Sequence, residues 1–311
     1  MSRLVVLGSV NADHVLQVDQ FPRPGETVRG HGYRILPGGK GANQAVAAAR
    51  LGADTGFIAR IGKDQTGLGM REAFARDGMQ VDGVTIDPTL PTGIAIIYVA
   101  ASGENSIGIA AEANGALTPQ VVREQAGKIQ AADVLLLQLE VPLESVEAAV
   151  DIAHRSLVKV VLNPAPAMPL PASLLAKVDL ITPNQTEAEM LTGIAVTDTA
   201  SAALAAAALH QVGIPEVMIT LGKDGVWHSQ QGAGRLVPGF RVKAVDTTAA
   251  GDTFNGGLLA EWLRCGNWDQ AIRFAHAAAA LSVTRPGAQT SIPSHAEVIA
   301  FLANPPTGAS V

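Results

Sequence analysis

The stretch AVDTTAAGDTFNGG, residues 244–257, places two aspartates around a run of small residues. Ala249, Ala250 and Gly251 precede Asp252, and the residues after it have a helical pattern. A helix N-terminus offers backbone N–H groups and a positive dipole end, and small residues let an anion approach them. Asp252 could then take a proton from a hydroxyl, which suits phosphoryl transfer to an alcohol. From this stretch alone, the simpler interpretation is that Asp252 is a helix N-cap.

A second candidate is the glycine-rich segment PGGKGANQAVAAA, residues 37–49. It is not a P-loop, because Lys40 is followed by glycine instead of serine or threonine, and it is not a GxGxxG turn after a strand. Glycines such as Gly39 permit close backbone approach, and the Asn43 amide can donate to and accept from a polyol. We interpret the segment as a binding loop, and the alternative is a flexible turn before an alanine-rich helix.

Polar residues also follow several apolar runs. Asn11 and Asp13, in GSVNADHV, point the same way if the chain is extended, and the alternative is an Asx turn. Glu140 ends LLLQLE, where a carboxylate must be hydrogen-bonded or face a ligand. In ITPNQTEAEML, Asn184 could cap a helix and Glu187 could hold a metal-bound water. The loop that begins with Thr220 and Gly222 follows another apolar run, where a nucleotide could lie.

Composition excludes several function classes. The 311 residues are 48% hydrophobic and 16% charged with net charge -6, which is ordinary for a globular protein. The acidic balance and the lack of a Lys/Arg cluster argue against nucleic acid as a partner. Cys265 is the only cysteine, so an intramolecular disulfide and a CxxC site are excluded. No apolar run is long enough to span a membrane, and the N-terminus lacks a signal-peptide pattern, so we expect a cytoplasmic protein.

The elements that must position these residues alternate between strands and helices. Short runs of Val, Leu and Ile, such as RLVVL, VLLL, KVVL and EVMIT, are typical of buried parallel strands. Alanine-rich helical stretches separate them, which predicts a doubly wound or related three-layer α/β fold. Ligands of such folds bind beyond the carboxyl ends of the strands. The strand-rich segments 12–36 and 92–109 interrupt the alternation and could form a small sheet over a cleft or an edge extension of the main sheet.

Taken together, these stretches resemble the PfkB/ribokinase family of carbohydrate kinases over nearly the whole chain. GGKGANQAVAAARLG is similar to the family's N-terminal signature and DTTAAGDTFNGG to its C-terminal signature, in the expected order. GSVNADHV, FPRPGETV, NPAPA and TPNQTEAE add to the resemblance. It implies a single α/β domain over 1–311, with a three-layer α/β/α fold, a mostly parallel central sheet and a β-sheet lid formed by 12–36 and 92–109.

The resemblance also implies a reaction, which is ATP-dependent phosphorylation of D-ribose at its 5-hydroxyl with Mg²⁺ and a monovalent cation, K⁺. Asp252 would be the base, and the anion hole would comprise Ala249, Ala250 and Gly251. The ribose-binding positions would be Asn11, Asp13, Gly39, Lys40, Asn43, Glu140 and Asp252. The ATP-binding positions would be Asn184, Thr220, Leu221, Gly222, Lys223, Asp224, Gly225, Gly251, Asp252 and His276. Glu187 would hold Mg²⁺ through water, and the K⁺ positions would be Asp246, Thr248, Ser282, Arg285, Gly287 and Ser291.

By the same resemblance the lid would form a homodimer, with Ile97, Tyr98 and Ile109 near the sugar or the partner. The chain departs from the family at AAEANGAL, where Glu112 and Ala113 replace a glycine-rich lid end, a change that bears on lid flexibility and sugar preference.

Other functions stay open at this point. Within the family, the acceptor could be fructose, deoxyribose, adenosine or pseudouridine. A dinucleotide-dependent oxidoreductase would need a GxGxxG turn after the first strand, and LGSVNAD lacks it. A non-catalytic sugar sensor on the same fold would be expected to lose the base, and Asp252 is present.

Overall fold

The computed structural model describes residues 3–305, which contain thirteen strands and eleven α-helices. The strands are β1 (Arg3–Leu7), β2 (Asn11–Val18), β3 (Gly30–Gly38), β4 (Asp54–Gly62), β5 (Val84–Asp87), β6 (Gly93–Ala100), β7 (Asn105–Ala110), β8 (Val134–Leu137), β9 (Lys159–Leu162), β10 (Leu180–Ile181), β11 (Glu216–Thr220), β12 (Val226–Gln230) and β13 (Ala233–Val237). The helices are α1 (Lys40–Arg50), α2 (Gln65–Arg76), α3 (Pro119–Glu124), α4 (Ala126–Gln130), α5 (Leu143–Arg155), α6 (Ala172–Leu175), α7 (Gln185–Thr192), α8 (Thr199–Gln211), α9 (Ala250–Cys265), α10 (Trp268–Ser282) and α11 (His295–Ala303).

Nine strands form the central sheet, in the order β13-β12-β11-β10-β9-β8-β1-β4-β5. Pairing is parallel from β11 to β5, whereas β12 is antiparallel to both of its neighbours. Alternate residues of β1 enter different cores, with Leu4 and Val6 in one and Val5 and Leu7 in the other. Both faces of the sheet are therefore buried, which explains the continuous apolar runs and confirms the predicted three-layer fold.

Helices α1 and α9 meet closely on one face of the sheet. A side chain on Gly256 would place its Cβ 2.6 Å from Ala47 Cβ and 2.8 Å from the Gln44 carbonyl oxygen. Only a bare glycine permits this approach. The first turn of α9 is thereby held against the start of α1, which brings the two signature segments together.

The remaining four strands form a separate sheet in the order β3-β2-β6-β7, and not an edge extension of the central sheet. The register aligns Ile35, His14 and Ile96 on the face opposite Asp13. Ile35 and Ile96 are 48% and 50% exposed, and every residue of β7 is exposed. The sheet thus leaves apolar side chains in contact with solvent.

A short 3-10 helix at Glu112–Ala116 follows β7 and returns the chain to the main body. Glu112 has φ 47°, in the left-handed region that favours glycine. This is the position where the family resemblance predicts a glycine-rich lid end. Elsewhere in the fold, no helix within residues 3–305 is long and apolar enough to cross a membrane.

Candidate active site

Polar residues from different strands converge where β1 and β8 end. One oxygen of Glu140, just beyond β8, accepts hydrogen bonds from the Ser9 hydroxyl at 2.6 Å and from the Lys40 N–H at 3.0 Å. The chain order reverses at β1, with later strands added on both sides, and ligands of α/β sheets bind at such switch points. The glycine segment and the chain just beyond β8 therefore lie together at this edge of the sheet, in a region that we call the polar pocket.

Asn11 and Asp13 enter this region from the small sheet. Asp13 packs against Gly38, where a Cβ would lie 2.1 Å from its Oδ2. The Asn11 Oδ1 accepts a hydrogen bond of 2.7 Å from Asn114, whose amide also pairs with both backbone polar groups of Val10. Because the Asn11 oxygen is occupied, its NH₂ group is the part left to donate to a ligand.

Asp252 lies in the first turn of α9, and its side chain is 7% exposed. Its Oδ2 accepts from the Asn43 amide at 3.0 Å, and its Oδ1 accepts from the Gln44 amide at 2.9 Å. The N-cap residue is instead Ala249, in a left-handed conformation and without a side-chain cap bond. The simpler interpretation of Asp252 as a helix cap is therefore wrong, because its carboxylate bonds to α1 and not to its own helix.

Carboxylates dominate the electrostatics of the pocket. Burial raises the pKa of Asp13 to about 7, and the charges of Glu140 and Asp252 add to this shift while Lys40 opposes it. Burial also raises the pKa of Asp252, against the opposing effects of Lys40 and the two amide donors. Burial alone would lower the pKa of Lys40, but the surrounding carboxylates, including Glu187, raise it. The positive charge of Lys40 therefore offsets part of the negative charge of these carboxylates.

On the other side of the first turn of α9 lies a cavity of about 420 Å³. Among the predicted ATP-binding residues, it is lined by Thr220, Gly222, Lys223, Gly225, Gly251 and His276. Ala250 of the predicted anion hole also lines it, although the Ala250 N–H donates to the Thr247 carbonyl. Gly251 is exposed and has open space where a Cβ would stand, so an anion can approach its backbone.

Four predicted ATP-binding residues are absent from the lining of this cavity, and one of them is Asp252, whose carboxylate faces α1. Asn184 is exposed and caps α7 in a reciprocal capping box with Glu187. Leu221 packs into the core, and Asp224 forms an ion pair with Arg241 at 3.5 Å. The apolar wall of the cavity was not predicted from the sequence. It is formed by Phe240, Val242, Ala244, Phe254, Ala279, Ala280 and Val283.

His276 is buried in this wall, and its Nε2 has no hydrogen-bond partner among residues 3–305. Burial lowers the pKa of His276 to about 4, so its imidazole is neutral near pH 7. Its ring lies 5.3 Å from the Phe254 ring, measured between centroids. The cavity thus combines an apolar surface with a neutral imidazole in its wall.

The predicted cation-binding residues come from two adjacent segments. The Asp246 carboxylate accepts hydrogen bonds from Thr248 and from the Gly287 N–H at 2.8 Å. Burial would raise the pKa of Asp246, but these hydrogen bonds keep it below its usual value. The Arg285 guanidinium pairs with Glu297, so only the backbone oxygen of Arg285 could serve a cation. The hydroxyls of Ser282 and Ser291 are buried and donate to backbone carbonyls.

Several residues of the site were not identified from the sequence. Ser9 and Asn114 hold Glu140 and Asn11, and Gln44 and Asn163 form a buried amide chain behind Asp252. Gln44 directly follows Asn43 in the glycine segment, and Asn163 opens the NPAPA stretch. These positions in the quoted motifs are the only local signal that could have indicated them.

Comparisons with known proteins identify the family to which the chain is similar. The model of the pfkB family carbohydrate kinases matches residues 1–295, which include every predicted site residue. A protein named Ribokinase from Haemophilus influenzae is 54% identical over 299 residues, which cover 96% of this chain and 98% of that protein. A Deoxyribokinase from Salmonella typhi is 36% identical over 292 residues, which cover 94% of this chain and 95% of that protein. The structure of Arabidopsis thaliana ribokinase complexed with ribose and ATP matches with a TM-score of 0.92 at 33% identity, covering 97% of this chain and 99% of that one.

Proposed function

This chain belongs to the pfkB family of carbohydrate kinases, and we propose that it transfers the terminal phosphoryl group of ATP to the 5-hydroxyl of D-ribose. The observation that carries the proposal is the position of Asp252. Its buried carboxylate bonds to the α1 segment of the polar pocket, and the adjacent Gly251 lines the 420 Å³ cavity. A base between an alcohol site and a nucleotide site is what phosphoryl transfer requires.

In the proposed reaction, Asp252 takes the proton from the ribose 5-hydroxyl. The oxygen forms a bond to the terminal phosphorus, and the bond between that phosphorus and the oxygen of ADP breaks. The raised pKa of Asp252 brings this base closer to the working pH. Backbone N–H groups at the start of α9 hold the charge that develops on the phosphoryl oxygens. The products are ADP and ribose 5-phosphate.

The polar pocket supplies the groups that bind the sugar. We assign this role to the carboxylates of Asp13 and Glu140 and to the amides of Asn11 and Asn43. Carboxylates accept hydrogen bonds from hydroxyls, and amides can both donate and accept them. Lys40 offsets the negative charge of the pocket and can also approach a phosphate. Adenosine would occupy the apolar cavity against His276 and Phe254.

Two cations belong to the proposal. Mg²⁺ requires few protein ligands when it is bound to phosphates and waters. Glu187 fits this need, because its Oε2 accepts from the Asn184 N–H at 2.8 Å and its Oε1 accepts no hydrogen bond within residues 3–305. K⁺ requires oxygen ligands, which the carboxylate of Asp246 and the backbone of 282–291 provide. When bound, the two ions would offset the negative charge on the phosphates and beside the anion hole.

A second candidate acceptor is 2-deoxyribose, because a Deoxyribokinase is 36% identical to this chain.

The proposed reaction is tested by an ADP-release assay with ribose, 2-deoxyribose, fructose, adenosine and pseudouridine, each with wild type and Asp252→Asn. We expect the highest kcat/KM with ribose, and a loss of about 10²–10⁴ in kcat for the variant, the usual contribution of a general base. A higher kcat/KM with another acceptor would identify that compound, and not ribose, as the preferred substrate. Near-normal turnover of Asp252→Asn would exclude Asp252 as the base.

We also propose that the protein is a cytoplasmic homodimer that associates through the four-stranded sheet, which acts as a lid over the sugar. The exposed side chains of Ile35 and Ile96 and the solvent-facing strand β7 support this role, because exposed apolar side chains and an unpaired strand edge are typical of surfaces that associate. Light scattering should give twice the 32.0 kDa chain mass for wild type. Ile96→Lys should give the monomer mass.

A further inference from the structure

A chain of buried amides reaches Asp252 from the interior of the protein. The Gln44 Nε2 donates to Asp252 Oδ1 and to Asn163 Oδ1, both at 2.9 Å. The Gln44 Oε1 accepts from Gln138, and the Asn163 amide donates to the Thr182 carbonyl at 2.9 Å. Gln44 and Gln138 have no solvent exposure, and Asn163 is 8% exposed. None of these amides is assigned to ribose or ATP in the proposed reaction, so their role lies behind Asp252.

The chain of amides fixes which end of Gln44 faces Asp252. Asn163 must turn its NH₂ group toward the Thr182 carbonyl, so it presents its oxygen to Gln44. Gln138 donates to the Gln44 oxygen, so the Gln44 NH₂ group is directed at both acceptors. An NH₂ group can only donate, and therefore it stabilises the ionised form of Asp252 over the protonated form.

We propose that Gln44 is a positioning residue that holds the Asp252 carboxylate in place and keeps it ionised for proton abstraction, and that Asn163 and Gln138 orient the Gln44 amide. This inference rests on the proposed function, because it requires Asp252 to act as the base. Asn43 donates to Asp252 Oδ2, but Asn43 also belongs to the polar pocket, where a sugar hydroxyl can compete for its amide. Gln44 is fully buried, so its bond persists when substrates bind.

Other charges act on Asp252 at the same time. Lys40 favours its ionised form, and Glu140, Asp13 and Glu187 lie close enough to be coupled to it. Within the described part of the chain, the pocket thus holds more carboxylates than cations near the base. This excess of negative charge favours protonation of Asp252. The Gln44 amide, a neutral donor to Oδ1, opposes that protonation and adds no cation that would pair with the transferred phosphate.

The experiment measures kcat against pH, at saturating ribose and ATP, for wild type, Gln44→Met and Gln44→Glu. Methionine keeps the volume but removes the donor, and we expect the pH of half-maximal kcat to rise by about one unit, the size of a lost hydrogen bond to a charged group. Glutamate keeps the shape but makes two carboxyls share a proton, which should raise the midpoint further. If methionine prevents folding, the glutamate variant alone decides, and a thermal melt checks each protein.

Ser145→Ala is the control, because it removes a fully buried hydrogen bond, to the Leu117 carbonyl, that lies outside the chain of amides and does not touch Asp252. Its melting temperature should fall while the pH midpoint stays near that of wild type. A midpoint that does not move in either Gln44 variant would overturn the inference even if Asp252→Asn is inactive. An active Asp252→Asn variant would instead overturn the proposed function, so the two failures are distinguishable.

Discussion

The ionisation of Asp13 should control ribose affinity between pH 6 and 8. Burial and the neighbouring carboxylates raise its pKa to about 7, so in the empty pocket about one tenth of the molecules carry an ionised Asp13 at pH 6 and about nine tenths at pH 8. Sugar hydroxyls donate to a carboxylate and therefore bind its ionised form better. Ribose affinity should thus rise about tenfold from pH 6 to pH 8 and stay constant above that.

Isothermal titration calorimetry without ATP measures this effect apart from the chemical step. Because bound Asp13 is ionised, ribose binding should release nearly one proton at pH 6 and almost none at pH 8, which buffers of different ionisation enthalpy reveal. Asp13→Asn should bind more weakly at every pH and lose the pH dependence. The control is His14→Gln, since His14 faces the other side of β2, toward Tyr33, and its loss should leave the pH profile intact. A wild-type affinity that is flat with pH, or a profile retained in Asp13→Asn, would refute the reasoning.

Three further predictions concern the supports of the site. Asn114→Ala should raise the ribose KM roughly fivefold to tenfold with little change in kcat, because Asn11 loses the bond that orients its amide; an unchanged KM would contradict this role. Gly256→Ala should destabilise the fold by about 1–3 kcal/mol in urea unfolding, because α9 must move away from α1. Gly69→Ala, in the exposed and open part of α2, should gain about 0.5–1 kcal/mol and serves as its control. Replacing K⁺ by tetramethylammonium should lower the rate, since that ion is too large for oxygen ligands around Asp246, and an equal rate would argue against a cation there.

The elements of the central sheet could be predicted because their signal is local. The apolar runs that became β1, β8, β9 and β11 are buried on both faces, so no alternation interrupts them. The polar residues at their ends were recognisable for the same reason, since parallel strands deliver their carboxyl ends to one edge. The small sheet was predicted from its turns, but whether it extended the central sheet or stood apart depended on pairings that no local pattern specifies.

The chemical types of the site were therefore determined by the sequence itself: a carboxylate at a helix start, a glycine segment with an amide, and polar strand ends. Only the tertiary structure decided what each one contacts. Asp252 changed from a plausible helix cap to a carboxylate held by Gln44, 208 positions earlier in the chain. Asn114 reaches Asn11 across 103 positions, and Asn163 reaches Gln44 across 119. A buried amide becomes a donor to a particular atom only when packing brings the two together and excludes water, and this depends on the whole fold rather than on neighbouring residues.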